Sequence, residues 1–253
     1  MMMRLASLAV CATALQAPTP RRHRRVDGAR PPTPSMRGSR TRVQLAPSGV
    51  DGLPVPLQAV VFLGCAGGIG GGAVACNAVL DAIRGATQKT GAGAEAWRKF
   101  VEYAFLGLGL LYVAAGVGHF AAADAFRAIT PPFGTWGLWP VPTAPAFHVA
   151  WTGQAELVGG ATLVAGGAAA LAGVELEAPV KFIPPAACAG LLLLTVAVTP
   201  ANIYMYTHGA TMGAGPLPLA FHYGRFAVQC VLLGLLATLA KDSFFYAWGD
   251  EIE

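Results

Sequence analysis

Charged residues are scarce in this chain of 253 residues, where Asp, Glu, Lys and Arg together make up only 12%. A soluble globular domain usually carries about a quarter of its residues as charges. Hydrophobic residues make up 55% of the chain, and the mean hydropathy is +0.54. This composition excludes an ordinary soluble domain and predicts an integral membrane protein whose first partner is the lipid bilayer.

Acidic residues are nearly absent from residues 1–50, which hold nine arginines and a single acid, Asp27. An apolar run over residues 5–15 is too short to span a bilayer, and a Pro-, Arg-, Ser- and Thr-rich stretch follows to about Pro47. The pattern is typical of a cleavable targeting leader made of a signal peptide and a transit peptide, which predicts a plastid membrane. A single mitochondrial or plastid presequence and a secretory signal with a basic tail are the alternatives. The arginines belong to this disordered leader, so we expect no nucleic-acid binding.

Cysteine is also sparse, and its spacing excludes a thiol-disulfide centre and a zinc site. No C-x-x-C pair occurs among Cys11, Cys65, Cys76, Cys188 and Cys230. The glycines after residue 67 superficially resemble a dinucleotide fingerprint, Gly68-x-Gly70-x-x-Ala73. No strand precedes them and no acidic ribose partner follows, so close helix packing in the membrane explains them better.

What the chain does have is long apolar runs, which predict an all-α transmembrane four-helix bundle. Each predicted span has the roughly 20 residues that a bilayer requires; the spans are residues 100–120, 147–171, 185–204 and 221–240. Residues 55–80 are a candidate fifth helix, although their glycines are poor helix formers. The predicted organisation is therefore a leader (1–50), a Gly-rich segment and linker (51–99), a membrane domain (100–241) and a short acidic tail (242–253).

Polar residues cluster at one end of this predicted bundle, because successive spans alternate in direction. The candidate ligand-binding cluster consists of His119, Glu156, Asn202, His222, Arg225 and Gln229. Glu156 lies nine residues into its span, roughly 13 Å deep at 1.5 Å per residue. A carboxylate at that depth is costly unless it is paired or protonated. We predict Arg225 as its partner, in a pair that either locks two helices together or holds a ligand.

Two further features bear on this cluster. The four histidines of the membrane domain have no close ligand spacing, so we expect neither haem nor a metal site. The connection over residues 121–146 is rich in proline and includes Trp136 and Trp139. These tryptophans are either interfacial anchors or part of a lid over a ligand pocket.

Five short motifs occur in an order and spacing that resemble the DoxX family of small four-helix membrane proteins. They are Gly116-x-x-His119-Phe120, Ile129-x-Pro131-Pro132, Gly153-x-x-Glu156-Leu157-x-Gly159-Gly160, Pro200-Ala201-Asn202-Ile203-Tyr204-Met205 and Arg225-x-x-x-Gln229. The resemblance covers residues 100–240 and implies a four-helix bundle associated with membrane redox systems, in which some members are small subunits of quinol-linked oxidoreductases. It leaves the reaction open, because a fold does not carry a function with it.

The sequence thus predicts a non-catalytic, quinone-proximal or assembly subunit of a plastid redox complex, with a quinone as candidate cofactor and oxidoreductase subunits as partners. A carrier or binder of a small amphipathic anion or lipid is the second hypothesis. A scaffold whose polar residues serve helix packing alone is the third. No self-sufficient catalytic or redox centre is recognisable, and whether the chain is an enzyme stays open. The distribution of Lys and Arg predicts that the polar end faces away from the stroma.

Overall fold

The computed structural model describes residues 46–142, 144–213 and 215–249, and within them the chain is helical with no strand. The prediction of an all-α fold is confirmed. Six α-helices follow one another: α1 (Val55–Thr87), α2 (Gly91–Ala121), α3 (Ala123–Ala128), α4 (Pro145–Leu171), α5 (Ile183–His208) and α6 (Leu219–Gly249). Single 3-10 turns lie at Val50–Gly52, Thr135–Gly137 and Val180–Phe182.

Four stretches among the described residues are long and apolar enough to cross a membrane: α1, α2, α5 with the turn before it, and α6 as far as Phe245. The chain is therefore a multi-pass integral membrane protein. The candidate fifth helix, α1, is one of the four. The predicted span over residues 147–171 forms helix α4, but this helix is not among the four. It is rich in glycine and alanine and carries Gln154 and Glu156, which lower its hydropathy.

Helices α2 and α4 share the most extensive interface in the described part of the chain, and glycine makes it possible. A Cβ atom at Gly109 would lie 2.7 Å from the carbonyl oxygen of Gly160, and a Cβ at Gly160 would lie 2.7 Å from that of Gly109. The two backbones therefore touch, which no larger residue permits. This contact fixes the register that brings the end of α2 beside the start of α4.

Helices α5 and α6 complete the bundle. A core shared by all four helices contains Phe105, Leu108, Leu163, Leu191 and Leu236. Helix α1 packs on α6 from outside: a Cβ at Gly234 would meet Cys76, and one at Gly72 would meet Cys230. A Cβ at Gly64 or Gly68, by contrast, would have nothing within 4 Å, so these two glycines make no close helix contact.

Two predicted helix ends are corrected by the structure. Helix α5 continues through Pro200 to His208 and ends at Gly209, whose φ of 64° is left-handed, so the proline does not break the helix. Helix α6 runs past Ala240 to Gly249, which places residues 242–249 in a helix and not in an acidic tail.

The predicted leader overlaps the folded domain by five residues. Ser48 Oγ donates a hydrogen bond to the carbonyl of Tyr206 at 2.7 Å, and Ala46 and Val50 are buried. The domain therefore begins no later than Ala46. The remainder of the predicted leader, residues 1–45, lies outside the described residues.

Candidate functional site

A cavity of about 290 Å³ lies at the end of the bundle where α2 finishes, α4 begins and α5 finishes. Its walls are mainly apolar and aromatic, and they include Phe126, Ile129, Trp139, Val141 and Trp151. Its polar lining comes from His119, Thr130, His148, Thr152, Glu156 and Asn202. The predicted convergence of these three helix ends is confirmed by the cavity that they share.

His119 and Glu156 meet inside this cavity across the α2–α4 interface. Nδ1 of His119 lies 2.9 Å from Oε2 of Glu156, and both residues are buried. A Cβ at Gly153 would lie 2.7 Å from the Cβ of His119, so the glycine leaves room for the imidazole. The ring also stacks on Phe126, with centroids 3.9 Å apart. Close helix packing and an aromatic wall therefore hold the imidazole against the carboxylate.

The N–H of His119 is directed away from Oε2 of Glu156, although Nδ1 and Oε2 are close. Nδ1 of His119 lies 3.0 Å from the carbonyl oxygen of Ala115, which can only accept, so the N–H is directed at that carbonyl. Oε2 of Glu156 is buried and has no hydrogen-bond partner among the described residues. Buried polar groups in proteins are nearly always hydrogen-bonded, so this exception needs an explanation.

The predicted pair between Glu156 and Arg225 is wrong. Arg225 donates to Oδ1 of Asn202 and, at 2.8 Å, to the sulfur of Met205, both on α5. It does not line the cavity. The reason is geometric: α4 packs chiefly on α2, whereas α6 packs on α5, so α5 separates the two charged residues.

Arg225 belongs instead to a hydrogen-bonded network between α5 and α6. Asn202 Nδ2 donates to Oε1 of Gln229 at 3.0 Å, and Gln229 Nε2 donates to the hydroxyl of Thr199 at 2.6 Å. Thr199 in turn donates to the carbonyl of Thr195 at 2.8 Å. Asn202 is the member of this network that also lines the cavity, so it links the cavity to α6.

His222 stands apart from both groups. It is buried, lies beside the ring of Tyr206 with centroids 5.7 Å apart, and does not line the cavity. Its Nδ1 has no hydrogen-bond partner in the part of the chain that the structure describes. Of the six predicted site residues, the structure therefore brings His119, Glu156 and Asn202 together, attaches Arg225 and Gln229 through Asn202, and separates His222.

The connection between α2 and α4 closes the cavity, as the lid interpretation of its tryptophans requires. Trp139 lines the cavity directly. Trp136 is buried behind it, stacks on Phe62 of α1 at 4.2 Å and donates to the hydroxyl of Thr207 at 3.0 Å. These contacts hold Trp136 at a φ of 58°, which a non-glycine residue rarely adopts.

His148 fastens the connection to α4. Its Nδ1 accepts from the indole of Trp151 at 3.3 Å, so its Nε2 carries the proton and donates to the carbonyl of Pro142 at 3.2 Å. Thr199 and Thr152 were not predicted. Threonine inside an apolar helix gives no sequence signal, because its hydroxyl usually bonds the carbonyl four residues earlier.

Comparison with known protein families, with curated proteins and with solved structures finds no match to this chain. The resemblance to the DoxX family therefore stays a prediction. Within the described residues, no group of three His, Cys, Asp or Glu side chains is close enough to hold a metal ion. What the site offers chemically is a carboxylate and an imidazole at the polar end of an aromatic cavity.

Proposed function

We propose that this membrane protein binds the headgroup of a quinone-type molecule in the cavity between α2, α4 and α5, as a non-catalytic or assembly subunit of a redox complex. The observation that carries this is the pair of His119 and Glu156, whose Nδ1 and Oε2 atoms lie 2.9 Å apart, at the polar end of an apolar, aromatic cavity. Ligand sites typically combine such walls with a few polar groups that fix orientation.

The size of the cavity fits a headgroup alone. Drug-sized ligands occupy roughly 300–1,000 Å³, and this cavity, at about 290 Å³, lies at the lower end. It has room for one substituted ring and not for an isoprenoid tail, which would extend into the bilayer.

An amphipathic anion, the second hypothesis from the sequence, fits the cavity less well. The acid that lines it, Glu156, would repel a negative charge at short range. Arg225, the cation that the sequence placed beside Glu156, is bound to Asn202 and Met205 and does not line the cavity. A neutral ring avoids this repulsion.

A scaffold that uses polar residues for packing alone is also disfavoured. Helix interfaces in membranes gain stability by close packing, as the α2–α4 glycines do. A packing role gives no reason to keep a cavity beside a buried carboxylate, since an empty cavity and a buried acid both cost free energy. The DoxX resemblance and the leader support the assignment to a redox complex in a plastid membrane.

The test is purification of the tagged, full-length protein from native membranes in mild detergent, followed by mass spectrometry of co-purifying proteins and extracted lipids. Three proteins are compared: wild type, Glu156→Gln and the control Glu102→Gln, a glutamate equally buried at the other end of α2. We expect a quinone and oxidoreductase subunits with wild type and the control. The combined quinone and quinol content of Glu156→Gln should fall about tenfold, because the hydroxyl of the quinol form loses a hydrogen bond to a charged group. A protein that carries no quinone, or equal quinone in all three, would contradict the proposed function.

A further inference from the structure

We infer that the predicted leader is removed by a processing peptidase at the peptide bond between Leu45 and Ala46, and that the new α-ammonium group of Ala46 forms an ion pair with Asp51. This processing site does not depend on the ligand of the cavity. Three features support it: the contact between Ala46 and Asp51, the lack of lysine and arginine in the sequence that follows, and the position of Ala46 at the end of α5.

The backbone of Ala46 is fixed by contacts at both of its polar groups. Its N–H donates to Oδ2 of Asp51 at 2.9 Å, and its carbonyl accepts from the N–H of Gly49 at 2.8 Å. The residue is only 6% exposed. A chain that starts at Ala46 has an ammonium at the position of this amide, with three N–H donors instead of one and a positive charge at neutral pH.

The carboxylate of Asp51 lacks a cation in its own part of the sequence. Its second oxygen, Oδ1, is buried and has no hydrogen-bond partner among the described residues. No lysine or arginine occurs from residue 46 to residue 83, and the next one, Arg84, lies at the far end of α1, paired with Asp242. A neutral amide balances no charge, and a partly buried carboxylate without a cation costs free energy. An ammonium on Ala46, 2.9 Å from Oδ2, would supply that charge.

The end of α5 favours a positive charge at the same place. Helix α5 ends at His208, and a Cβ at the next residue, Gly209, would lie 3.2 Å from the Cα of Ala46. The last carbonyl groups of a helix carry partial negative charge, because no intrahelical N–H reaches them. Ser48 already donates to one of them, the carbonyl of Tyr206. An ammonium on Ala46 would therefore be attracted both by the carboxylate and by the helix end.

The sequence before Ala46 is consistent with removal at this bond. Residues 1–45 contain nine arginines and one acid, the composition that predicts a cleavable leader. Hydrolysis consumes one water molecule and leaves a carboxylate on Leu45 and an ammonium on Ala46. The bond must be cut before the domain folds, because Ala46 is buried in the folded domain. A later start would delete the partner of Asp51, and an earlier start would leave a neutral amide there.

The test begins with the protein purified from its native membranes, whose N terminus is read by Edman degradation and by intact mass. We expect a free amine on Ala46. This amine is then acetylated with N-hydroxysuccinimidyl acetate at neutral pH, with Lys89, exposed between α1 and α2, as internal reference. Ala46 should be labelled about tenfold faster in Asp51→Asn than in wild type, as for loss of a hydrogen bond to a charged group. The control Asp124→Asn, which changes an exposed aspartate, should label as wild type does.

Three results would overturn the inference. They are a mature chain that begins at any other residue, an Ala46 whose amine is blocked, and equal labelling of Ala46 in wild type and Asp51→Asn. If Asp51→Asn does not accumulate, wild type is labelled before and after unfolding in SDS. We then expect the labelling of Ala46 relative to Lys89 to rise about tenfold on unfolding, and an unchanged ratio would overturn the ion pair.

Discussion

The two ends of the bundle hold buried carboxylates in opposite circumstances. At the end away from the cavity, Asp242 of α6 is paired with Arg84 of α1 and accepts at 3.2 Å from the indole of Trp97 on α2. Glu102 of α2 is paired there with Arg98 and Lys99. At the cavity end, Glu156 is paired with no Lys or Arg among the described residues, and its partner is Nδ1 of His119 at 2.9 Å.

This difference supports a structural role for Asp242 and the proposed binding role for Glu156. Asp242 ties α1, α2 and α6 together, and its charge is balanced within the fold by Arg84. Glu156 is equally buried, but its one close partner is a histidine, and it lines a cavity. Intramembrane ionisable residues indicate function by default, and we apply that expectation to Glu156.

The largest expected effect on stability comes from removing Asp242, the buried carboxylate that is paired at the end away from the cavity. Asp242→Ala leaves Arg84 with only the longer ion pair to Asp81, at 3.7 Å, and Trp97 without its acceptor. Removing one partner of a buried pair costs about 3 kcal/mol or more. We expect the free energy of unfolding, measured by SDS titration in mixed micelles, to fall by about that amount while quinol affinity is unchanged.

A matched control for this change is Asp124→Ala. Asp124 is fully exposed and paired with Arg127 on the surface, and such pairs contribute little. A stability change as large in Asp124→Ala as in Asp242→Ala would mean that burial does not govern these pairs.

The next largest effect on stability is expected from a substitution that forces α2 and α4 apart. Gly109→Ala places a Cβ 2.7 Å from backbone atoms of Gly160 and Val164, so the helices must move apart at a cost of about 1–3 kcal/mol. We expect weaker ligand binding as well, because His119 and Glu156 sit on these two helices. Gly107→Ala, on the same helix with nothing within 4 Å, should be neutral or slightly stabilising. Equal effects of the two substitutions on unfolding would contradict the close-contact account.

The smallest effect on stability is expected at Arg225. Arg225→Met removes hydrogen bonds to Asn202 and Met205 but also removes a charge from the membrane, so stability should change by less than about 1 kcal/mol. Binding should weaken a few-fold, because Asn202 loses a partner that orients it. A loss of about 3 kcal/mol or more in the unfolding titration would instead indicate a buried ion pair, as the sequence had suggested.

Much of the fold could be predicted because long apolar runs directly indicate membrane helices. Such runs do not show at which residue a helix ends. Asp242 was assigned to a tail because α6 was predicted to stop at Ala240, and its partner Arg84 lay outside the predicted four-helix domain. The structural cluster at that end was missed for this reason.

The site was predicted in part for a related reason. Alternating helix direction placed His119, Glu156 and Asn202 at one end, and the cavity confirms that placement. Helix adjacency cannot be read from alternation, so Arg225 was assigned to Glu156 although α5 lies between them. The contact between His119 and Glu156 depends on the α2–α4 glycines, whose partners across the interface a single sequence does not show.

The most direct measurement of the central claim is a paired one on Glu156→Gln and Asp242→Ala, with quinol affinity and the free energy of unfolding determined on the same preparations. The account predicts that Glu156→Gln loses about tenfold in affinity and changes stability by less than about 1 kcal/mol, whereas Asp242→Ala does the reverse. A Glu156→Gln protein that binds quinol as wild type does, but unfolds more easily, would show that both carboxylates are structural and would contradict the account.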